Sequence, residues 1–364
     1  MKQALKTLNR LQVPTWNALR INAASLSELP AGLPAYTKEP LGKIVPGLLV
    51  SRRGTNAMEE LPAAIRDVGE YVRAHANQRL HLTIPEGVTL PEPVVLDYRL
   101  DAENALLLDE VTIEAAAHSS AVIVLRYTSE SDTGGFHAGL TCVEAAEGAS
   151  LRVIKLQMLS KRCVHADAVG VRVEKDARAD VLLAELGAQQ TVSGCSVALI
   201  GDRAQSELDG LYLGSGEQRL DTNYRIEYRG KQAQGRITQR GVLLDKARKT
   251  AKSTLDFITG CVGAKGREEE SVLVLSPDAV NLSAPLLLCG EDDVEGQHAT
   301  STGRPDSMKL FYLMSRGVSE AEARKLLALA AFAPILDKIE PEALRGQTAE
   351  AIREGMEDAE EVRG

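Results

Sequence analysis

Aromatic side chains are scarce in this chain of 364 residues: they make up 4% of it, whereas hydrophobic residues of all kinds make up 44%. A core with so few rings has to be filled by Val, Leu, Ile and Ala in regular layers, which favours a repetitive architecture. The five cysteines form no C-x-x-C pair, and the first residues lack the apolar segment of a signal peptide. The longest apolar run is far shorter than a membrane span. These absences predict a reduced, cytoplasmic protein.

The local motifs of common enzymes are also missing. The sequence contains no G-x-x-x-x-G-K-[ST] loop, no G-x-S-x-G and no H-E-x-x-H. Any dependence on ATP would therefore have to be supplied by a partner. A formal net charge of -9 argues against a general nucleic-acid binder, because the phosphate backbone is bound by a basic face.

What the sequence does contain, from about residue 81 to residue 300, is a succession of short runs rich in Val, Ile and Leu. Examples are "LHLTI", "AVIVLRY" and "SLRVIKLQML", and the turns between runs, such as "EGAS", "KDARA" and "GDRAQ", repeat a charged or glycine-containing pair followed by Ala. About a dozen strands without intervening helices exclude βαβ units. A β-sandwich and a parallel β-helix both remain, and the many small residues favour the β-helix.

The two ends of the chain have helical patterns. Upstream, an apolar residue recurs every three or four positions with Asn56 placed as a cap, at Met58, Leu61, Ile65, Val68 and Val72. The lone tryptophan, Trp16, is expected to be buried against the main domain. We therefore predict a helical and irregular region over 1–80 and a β-core over 81–307.

A C-terminal helical region is predicted over 308–364. Ser319 and Glu322 form a capping box, and Pro334 is expected to kink or end the helix that follows. The apolar stripe predicted on that helix consists of Ala323, Leu326, Leu327, Ala330 and Ala331.

The segment 284–332, "APLLLCGEDDVEGQHATSTGRPDSMKLFYLMSRGVSEAEARKLLALAAF", resembles the C-terminal signature of the SufB/SufD family of iron–sulfur cluster assembly proteins. The shared order is an apolar strand, Asp-Asp-Val, His-Ala-Thr, Gly, Phe-Tyr-Leu, Ser-Arg-Gly and a helix. Fainter likeness extends upstream, so that about two thirds of the chain is covered. The resemblance implies a right-handed parallel β-helix between helical ends, and a non-catalytic scaffold subunit.

Partners follow from the same resemblance. It implies pairing with a SufB-type subunit through the β-helix and docking of a SufC-type ABC ATPase on the C-terminal helices. The residues implied in that docking are Phe311, Tyr312, Arg316, Gly317, Leu326, Leu327 and Phe332. A short capped helix is suited to lie in a groove of another protein. The alternative is that this helix packs only on its own β-core.

The histidine of the signature falls on His298, which the resemblance implies in metal binding and cluster assembly at the dimer interface. Imidazole suits iron, and we expect Asp292, Asp293 or Glu295 to hold its second N–H. The implied cluster is transient and a flavin is possible, with none bound stably by this chain alone. Cys289, nine residues before His298, is a further candidate ligand, although a lone cysteine in an apolar strand is more often buried filler. Cys261 and His165 are weaker candidate ligands, and His165 is predicted to lie in a turn.

Departures from the family pattern indicate a SufD-like rather than a SufB-like member. Glu270 stands about where SufB has its nucleating cysteine, and Ala299 stands where SufB has a glutamate. Gly296 replaces a cysteine found in many SufD sequences. Since thiolate is the natural ligand of a cluster iron, the thiolate is expected to come from a partner.

Three alternatives stay open at this point. One is a structural family member without cluster chemistry, and another is a homodimer that pairs with itself. The third is a carbohydrate-cleaving β-helix, but the acids of "EDDVE" lie in one loop and not on successive coils.

Overall fold

The alternating runs of the sequence form strands, and the patterned ends contribute four helices. A computed structural model describes residues 3–361 except 16–18, 31–32, 54–57 and 132; Trp16 and Asn56 lie outside the described residues. The strands are β1 (Gln3–Leu8), β2 (Ala24–Leu29), β3 (Leu49–Ser51), β4 (Gln78–Ile84), β5 (Val94–Leu100), β6 (Leu106–Ala115), β7 (Ser120–Ser129), β8 (Phe136–Ala145), β9 (Ser150–Met158), β10 (Val164–Val173), β11 (Arg178–Glu185), β12 (Gln190–Leu199), β13 (Gln205–Gly214), β14 (Arg219–Tyr228), β15 (Gln234–Leu243), β16 (Arg248–Phe257), β17 (Ala264–Val274), β18 (Val280–Cys289) and β19 (Val294–Gly303). The helices are α1 (Arg66–His75), α2 (Ser307–Ser315), α3 (Glu320–Leu336) and α4 (Glu342–Glu361).

From β4 onward the strands alternate between two sheets. The even-numbered strands, with β3 at one edge, form one sheet, and the odd-numbered strands from β5 form the other. Each strand pairs in parallel with the strand two further along the chain, as β10 does with β8 and β12. The chain therefore winds as a parallel β-helix, which confirms the predicted fold class and excludes a sandwich.

The repeated turn has a conformational reason. The residue before the recurring alanine of the turn has a left-handed backbone, as at Gly148, Asp176 and Arg203, with φ of 68°, 56° and 59°. The alanines that follow, such as Ala177 and Ala204, are 1% and 0% exposed. The left-handed residue reverses the chain, and the small side chain fits inside the bend.

Both outer faces of the β-helix are covered by the ends of the chain. Helix α1 packs on the even-numbered sheet through the buried side chains of Val68, Tyr71 and Val72. Helices α3 and α4 cover the odd-numbered sheet with Phe332 and Ile352 among their buried residues. None of the helices in the described part of the chain is long and apolar enough to cross a membrane.

The predicted helix near residue 58 is shorter than its periodicity suggested. Met58, Leu61 and Ile65 are buried, but the helix begins only at Arg66. Met58 has a φ of 53°, and Pro62 lacks an N–H, so the backbone before α1 forms bends and turns instead. The region expected to be helical and irregular also contains strands β1 to β3.

Helix α3 also differs from its prediction, in where it ends and in which face it buries. Ser319 caps it by accepting a hydrogen bond from the Glu322 N–H at 3.2 Å, as predicted. The helix continues through Pro334 to Leu336 because its last turn is anchored by buried side chains. Its buried apolar face is Ala323, Ala328, Phe332, Ile335 and Leu336, whereas the predicted stripe residue Leu326 is 40% exposed.

Close stacking of the coils makes one glycine substitution a sharp test. A Cβ on Gly230 would lie 1.8 Å from the backbone oxygen of Gly201, one coil away, whereas a Cβ on Gly303 meets nothing within 4 Å. Because backbone cannot move aside cheaply, we expect Gly230→Ala to lower the free energy of unfolding by about 2 kcal/mol or more. Gly303→Ala should change it by less than about 0.5 kcal/mol. Urea denaturation measures both, and equal effects would contradict the stacking.

Candidate functional site at the open end of the β-helix

The last coil, formed by β18 and β19, leaves the β-helix open at one end. Each is the terminal strand of its sheet, so among the described residues neither has a neighbour on its outer edge. Every residue of β19 is exposed or half-buried. An edge of unpaired backbone N–H and C=O groups is a template for pairing with another chain.

His298 lies in the middle of β19 and not in a loop, because the strand begins at Val294. A Cβ on Gly296, two residues earlier, would contact Leu287 and the interior ring of Phe257, so this position faces the inside of the β-helix. Alternate residues of a strand share a face, and His298 is therefore on the inner face of the terminal coil. With no coil beyond it, the side chain is exposed at the open end.

The acids expected to hold the imidazole do not contact it. In the described part of the chain no hydrogen bond joins His298 to Asp292, Asp293 or Glu295, and Glu295 instead accepts one from the Lys265 Nζ at 2.7 Å. The acid beside His298 is Glu268, its register partner on β17. Glu268 is 3% exposed, and burial, partly offset by a hydrogen bond from Ser253 and reinforced by Glu270, raises its pKa to about 7.

Glu270 forms a buried ion pair with Lys249. Its carboxylate accepts hydrogen bonds from the Lys249 Nζ, from the Tyr212 hydroxyl at 3.0 Å and from the Ser283 hydroxyl. Lys249 is fully buried, which lowers its pKa, and it donates further to Asn281 at 3.0 Å. The position at which the family pattern has a cysteine in SufB thus carries a neutralised carboxylate here.

The cysteines divide into four that are buried and one that is exposed. Cys289, at the end of β18, is the exposed one. Burial raises the pKa of the Cys142 thiol to about 11 and also raises that of Cys195 and Cys261, which disfavours the thiolate that binds iron. Cys163 is buried as well. Cys289 is therefore the thiol best placed for a contact outside the chain.

A second exposed feature is α2, none of whose residues is buried. Asp306 caps it by accepting hydrogen bonds from the N–H groups of Met308 and Lys309, and Gly317, with a φ of 89°, follows its end. Phe311 and Tyr312 are 68% and 57% exposed. Two methionines that the sequence analysis did not single out add to this surface, Met308 and Met314.

The remaining residues predicted for partner docking lie in different environments. Arg316 is exposed, with its guanidinium 5.3 Å from the centre of the Tyr312 ring. On α3, Leu326 is exposed and Leu327 half-buried. Phe332 is fully buried against the β-helix, so it can hold α3 in place but cannot touch a partner in this conformation.

A polar cluster inside the β-helix was missed by the sequence analysis. His137 Nε2 lies 2.5 Å from Asp109 Oδ1, and His137 Nδ1 lies 2.7 Å from His165 Nδ1. The chain of contacts continues from His165 Nε2 to Glu185 Oε2 at 3.5 Å. His165 is thus a buried strand residue and not a turn residue, and burial lowers its pKa.

A signal for this cluster is present in the sequence. "FHAG" at 136–139 and "VHAD" at 164–167 begin equivalent strands, and His137 and His165 are register partners. Recognising it requires the coil register, which the alternation of apolar residues alone does not give.

Metal binding by this chain alone has little support from its side chains. Among the described residues no group of three or more His, Cys, Asp or Glu side chains is arranged to hold a metal ion. A metal at His298 would therefore need ligands from outside the chain to complete its coordination.

These observations define a class of protein: a parallel β-helix with helical ends, whose open terminal coil carries an exposed histidine. Comparison with known families identifies it further. The model for "SUF system FeS cluster assembly, SufBD core domain" matches residues 98–331, and the chain therefore belongs to the SufBD family.

Curated relatives include SufD proteins, and the chain is a SufD-like member. The iron–sulfur cluster assembly protein SufD of Bacillus subtilis is 28% identical over 77% of this chain and 64% of its own length. SufD of Escherichia coli is 23% identical over 85% of this chain and 77% of its own. A SufBD family protein of Mycobacterium tuberculosis is 26% identical over 85% and 79%. The chain thus spans a little under two thirds of the Bacillus protein.

The buried cluster gives a pH-dependent prediction. Burial, reinforced by Asp167 and opposed by hydrogen bonds and Lys155, raises the pKa of Glu185 from 4.5 to about 7. Between these values the folded state holds a proton that the unfolded state releases, so this group lowers stability as pH rises. We therefore expect the free energy of unfolding of Glu185→Gln, relative to that of wild type, to rise by on the order of 2 kcal/mol between about pH 5 and pH 7.5.

Urea denaturation at several pH values measures this difference. The control is Glu217→Gln, at an exposed turn position, whose difference from wild type should not change with pH. A constant difference for Glu185→Gln as well would show that Glu185 is ionised throughout in the folded protein.

Proposed function

We propose that this chain is a cytoplasmic scaffold subunit of the SUF iron–sulfur cluster assembly system. In this proposal it pairs with a SufB-type subunit through the open end of its β-helix and offers His298 to the cluster being assembled there. The chain is non-catalytic, and a SufC-type ATPase supplies ATP hydrolysis. The observation that carries the proposal is an exposed imidazole on a terminal strand whose outer edge has no partner strand among the described residues.

Pairing through the open end is supported by the backbone. The outer edges of β18 and β19 present unpaired hydrogen-bonding groups, and ten-residue strands offer a long ladder to a second sheet. A strand from a SufB-type subunit would satisfy these groups. A second copy of this chain could do so too, which is why a self-paired homodimer remains the alternative.

Cluster ligation at that interface needs a thiolate from the partner. The neutral nitrogen of His298 is a suitable iron ligand, but the surrounding side chains of this chain provide no set of three ligands among the described residues. The cluster is therefore treated as transient cargo of the assembled pair. Cys289 is a further candidate contact at the same end, and we assign no residue to a flavin.

His298→Ala tests the chemistry. In the complete assembly of this chain with a SufB-type subunit and a SufC-type ATPase, we expect at least about a 10-fold loss of cluster formation, because one iron ligand is removed. Anaerobic reconstitution followed by visible absorption measures the loss. The control is Gln297→Ala, the exposed neighbour on the opposite face of β19. An unchanged yield for His298→Ala would favour the purely structural role.

ATPase docking is assigned to α2 and the adjoining face of α3. Phe311, Tyr312 and Leu326 are large and exposed, and several such side chains on neighbouring elements are typical of a protein-binding surface. Arg316 and Leu327 lie beside them. Gly317 and Phe332 contribute by shaping the surface, the first at the end of α2 and the second by anchoring α3.

Phe311→Asp tests the docking. We expect it to weaken binding of a SufC-type ATPase by about 2 kcal/mol or more, because an aromatic side chain that the ATPase would bury is replaced by a charged one. Calorimetric titration of the full chain with the ATPase measures it. Ile44→Asp is the matched control, since Ile44 is 66% exposed but lies far from α2 in the sequence and on the N-terminal segment. Equal affinities for wild type and Phe311→Asp would remove α2 from the interface.

A further inference from the structure

We propose that Glu268 is a second metal ligand, which binds a divalent transition metal such as ferrous iron together with His298 at the open end of the β-helix. This inference deepens the proposed function and rests on it. It assigns a role to a residue outside the histidine motif, on the penultimate coil.

The register brings the two side chains together. Glu268 of β17 and His298 of β19 are direct partners in adjacent parallel strands, which are about 4.8 Å apart. In-register partners of a parallel ladder point to the same side of the sheet, here the inner face. The carboxylate therefore lies one coil inside the imidazole on the same face: the last coil covers Glu268, whereas no further coil covers His298.

The Glu268 carboxylate is hydrogen-bonded by Ser253 but is only partly satisfied. It is 3% exposed, and its Oε2 atom has no hydrogen-bond partner among the described residues. A buried polar atom without a partner costs free energy, and a carboxylate costs more than a neutral group. A cation held between this oxygen and His298 would remove that cost.

The other acids of β17 and β19 form ion pairs, which distinguishes them from Glu268. Glu270 is paired with Lys249, Glu269 with Arg240 at 2.5 Å, and Glu295 with Lys265 at 2.7 Å. No ion pair is formed by Glu268 in the described part of the chain. Of the two buried acids of β17, Glu270 has an ion-pair partner and Glu268 has none among the described residues, and Glu268 is the register partner of His298.

The ligand set has a recognisable chemistry. One imidazole nitrogen and one carboxylate oxygen suit ferrous iron and similar divalent metals, and two ligands leave coordination positions open. A thiolate from a partner chain or water can occupy them. The pair would hold a metal weakly in the free chain and more firmly in an assembled interface.

The test is a titration of the full-length, tag-free chain with Co²⁺ as the probe. Ligand-field absorption and paramagnetic shifts of the His298 ring protons report binding. We expect Glu268→Gln to weaken Co²⁺ binding at least about 10-fold while keeping the shape of the side chain. Glu268→Asp, which keeps the carboxylate, should lose less, and Glu295→Gln is the control that should bind as wild type does.

The outcomes separate this inference from the function on which it rests. If His298→Ala abolishes binding and Glu268→Gln titrates like wild type, Glu268 is not a ligand and the role of His298 stands. If His298→Ala also leaves the titration unchanged, or if the wild-type chain binds no Co²⁺, the metal site itself is refuted. Should Glu268→Gln fail to fold, Glu268→Asp decides: binding weaker than that of wild type supports Glu268 as a ligand, because the shortened carboxylate is displaced from the metal, and binding equal to that of wild type refutes it.

Discussion

In-register stacking of parallel strands is the constraint on which the rest of this structure depends. Each inner side chain has, as its nearest neighbours, the side chains at the same position one coil before and one coil after. The side chain at one inner position therefore limits which side chains can occupy the same position in the adjacent coils. Rings lie on rings, as Tyr98 does on Tyr127 with centroids 5.1 Å apart and Tyr228 on Phe257 at 4.4 Å. Buried polar groups likewise come in matched sets, such as His137 with His165.

The same constraint explains why chemistry is found at the end of the β-helix. Inside, a polar group can be satisfied by a neighbour in the next coil, as Glu270 is by the Ser283 hydroxyl. At the last coil there is no next neighbour, so His298 is exposed and the outer edges of β18 and β19 are unpaired. A second protein that continues the stack would supply the missing side-chain neighbours and the missing hydrogen-bond partners of the backbone. The functional surface is thus the place where the repeat stops.

The alternation of apolar residues was sufficient to predict the strands, because period-two patterning acts locally, but it left a sandwich and a β-helix open, and the family resemblance was needed to choose the β-helix. The alternation was not sufficient for β19, whose sequence "VEGQHATSTG" has no apolar alternation. That segment is extended because it pairs with β17, a non-local cause. For the same reason Glu268 was not predicted beside His298: the two are 30 positions apart in the sequence and adjacent only in the register.

Helical faces were predicted less well than strands. Helix α3 is apolar around most of its circumference, so its sequence did not distinguish the face that packs on the β-helix from the face that does not, and Phe332 was assigned to a partner although it is buried. The region before α1 shows the opposite case. Met58 and Leu61 fit a helical period and are buried, but a left-handed residue and a proline prevent the helix there.

Hydrogen–deuterium exchange of the chain, alone and in complex with a SufB-type subunit, tests the central claim most directly. We expect the amide groups on the outer edges of β18 and β19, which have no partner strand among the described residues, to exchange rapidly in the free chain and to become protected in the complex, while those of interior strands such as β10 and β12 are protected in both. Rapid exchange of β19 in the complex, with new protection elsewhere on the β-helix, would contradict pairing through the open end.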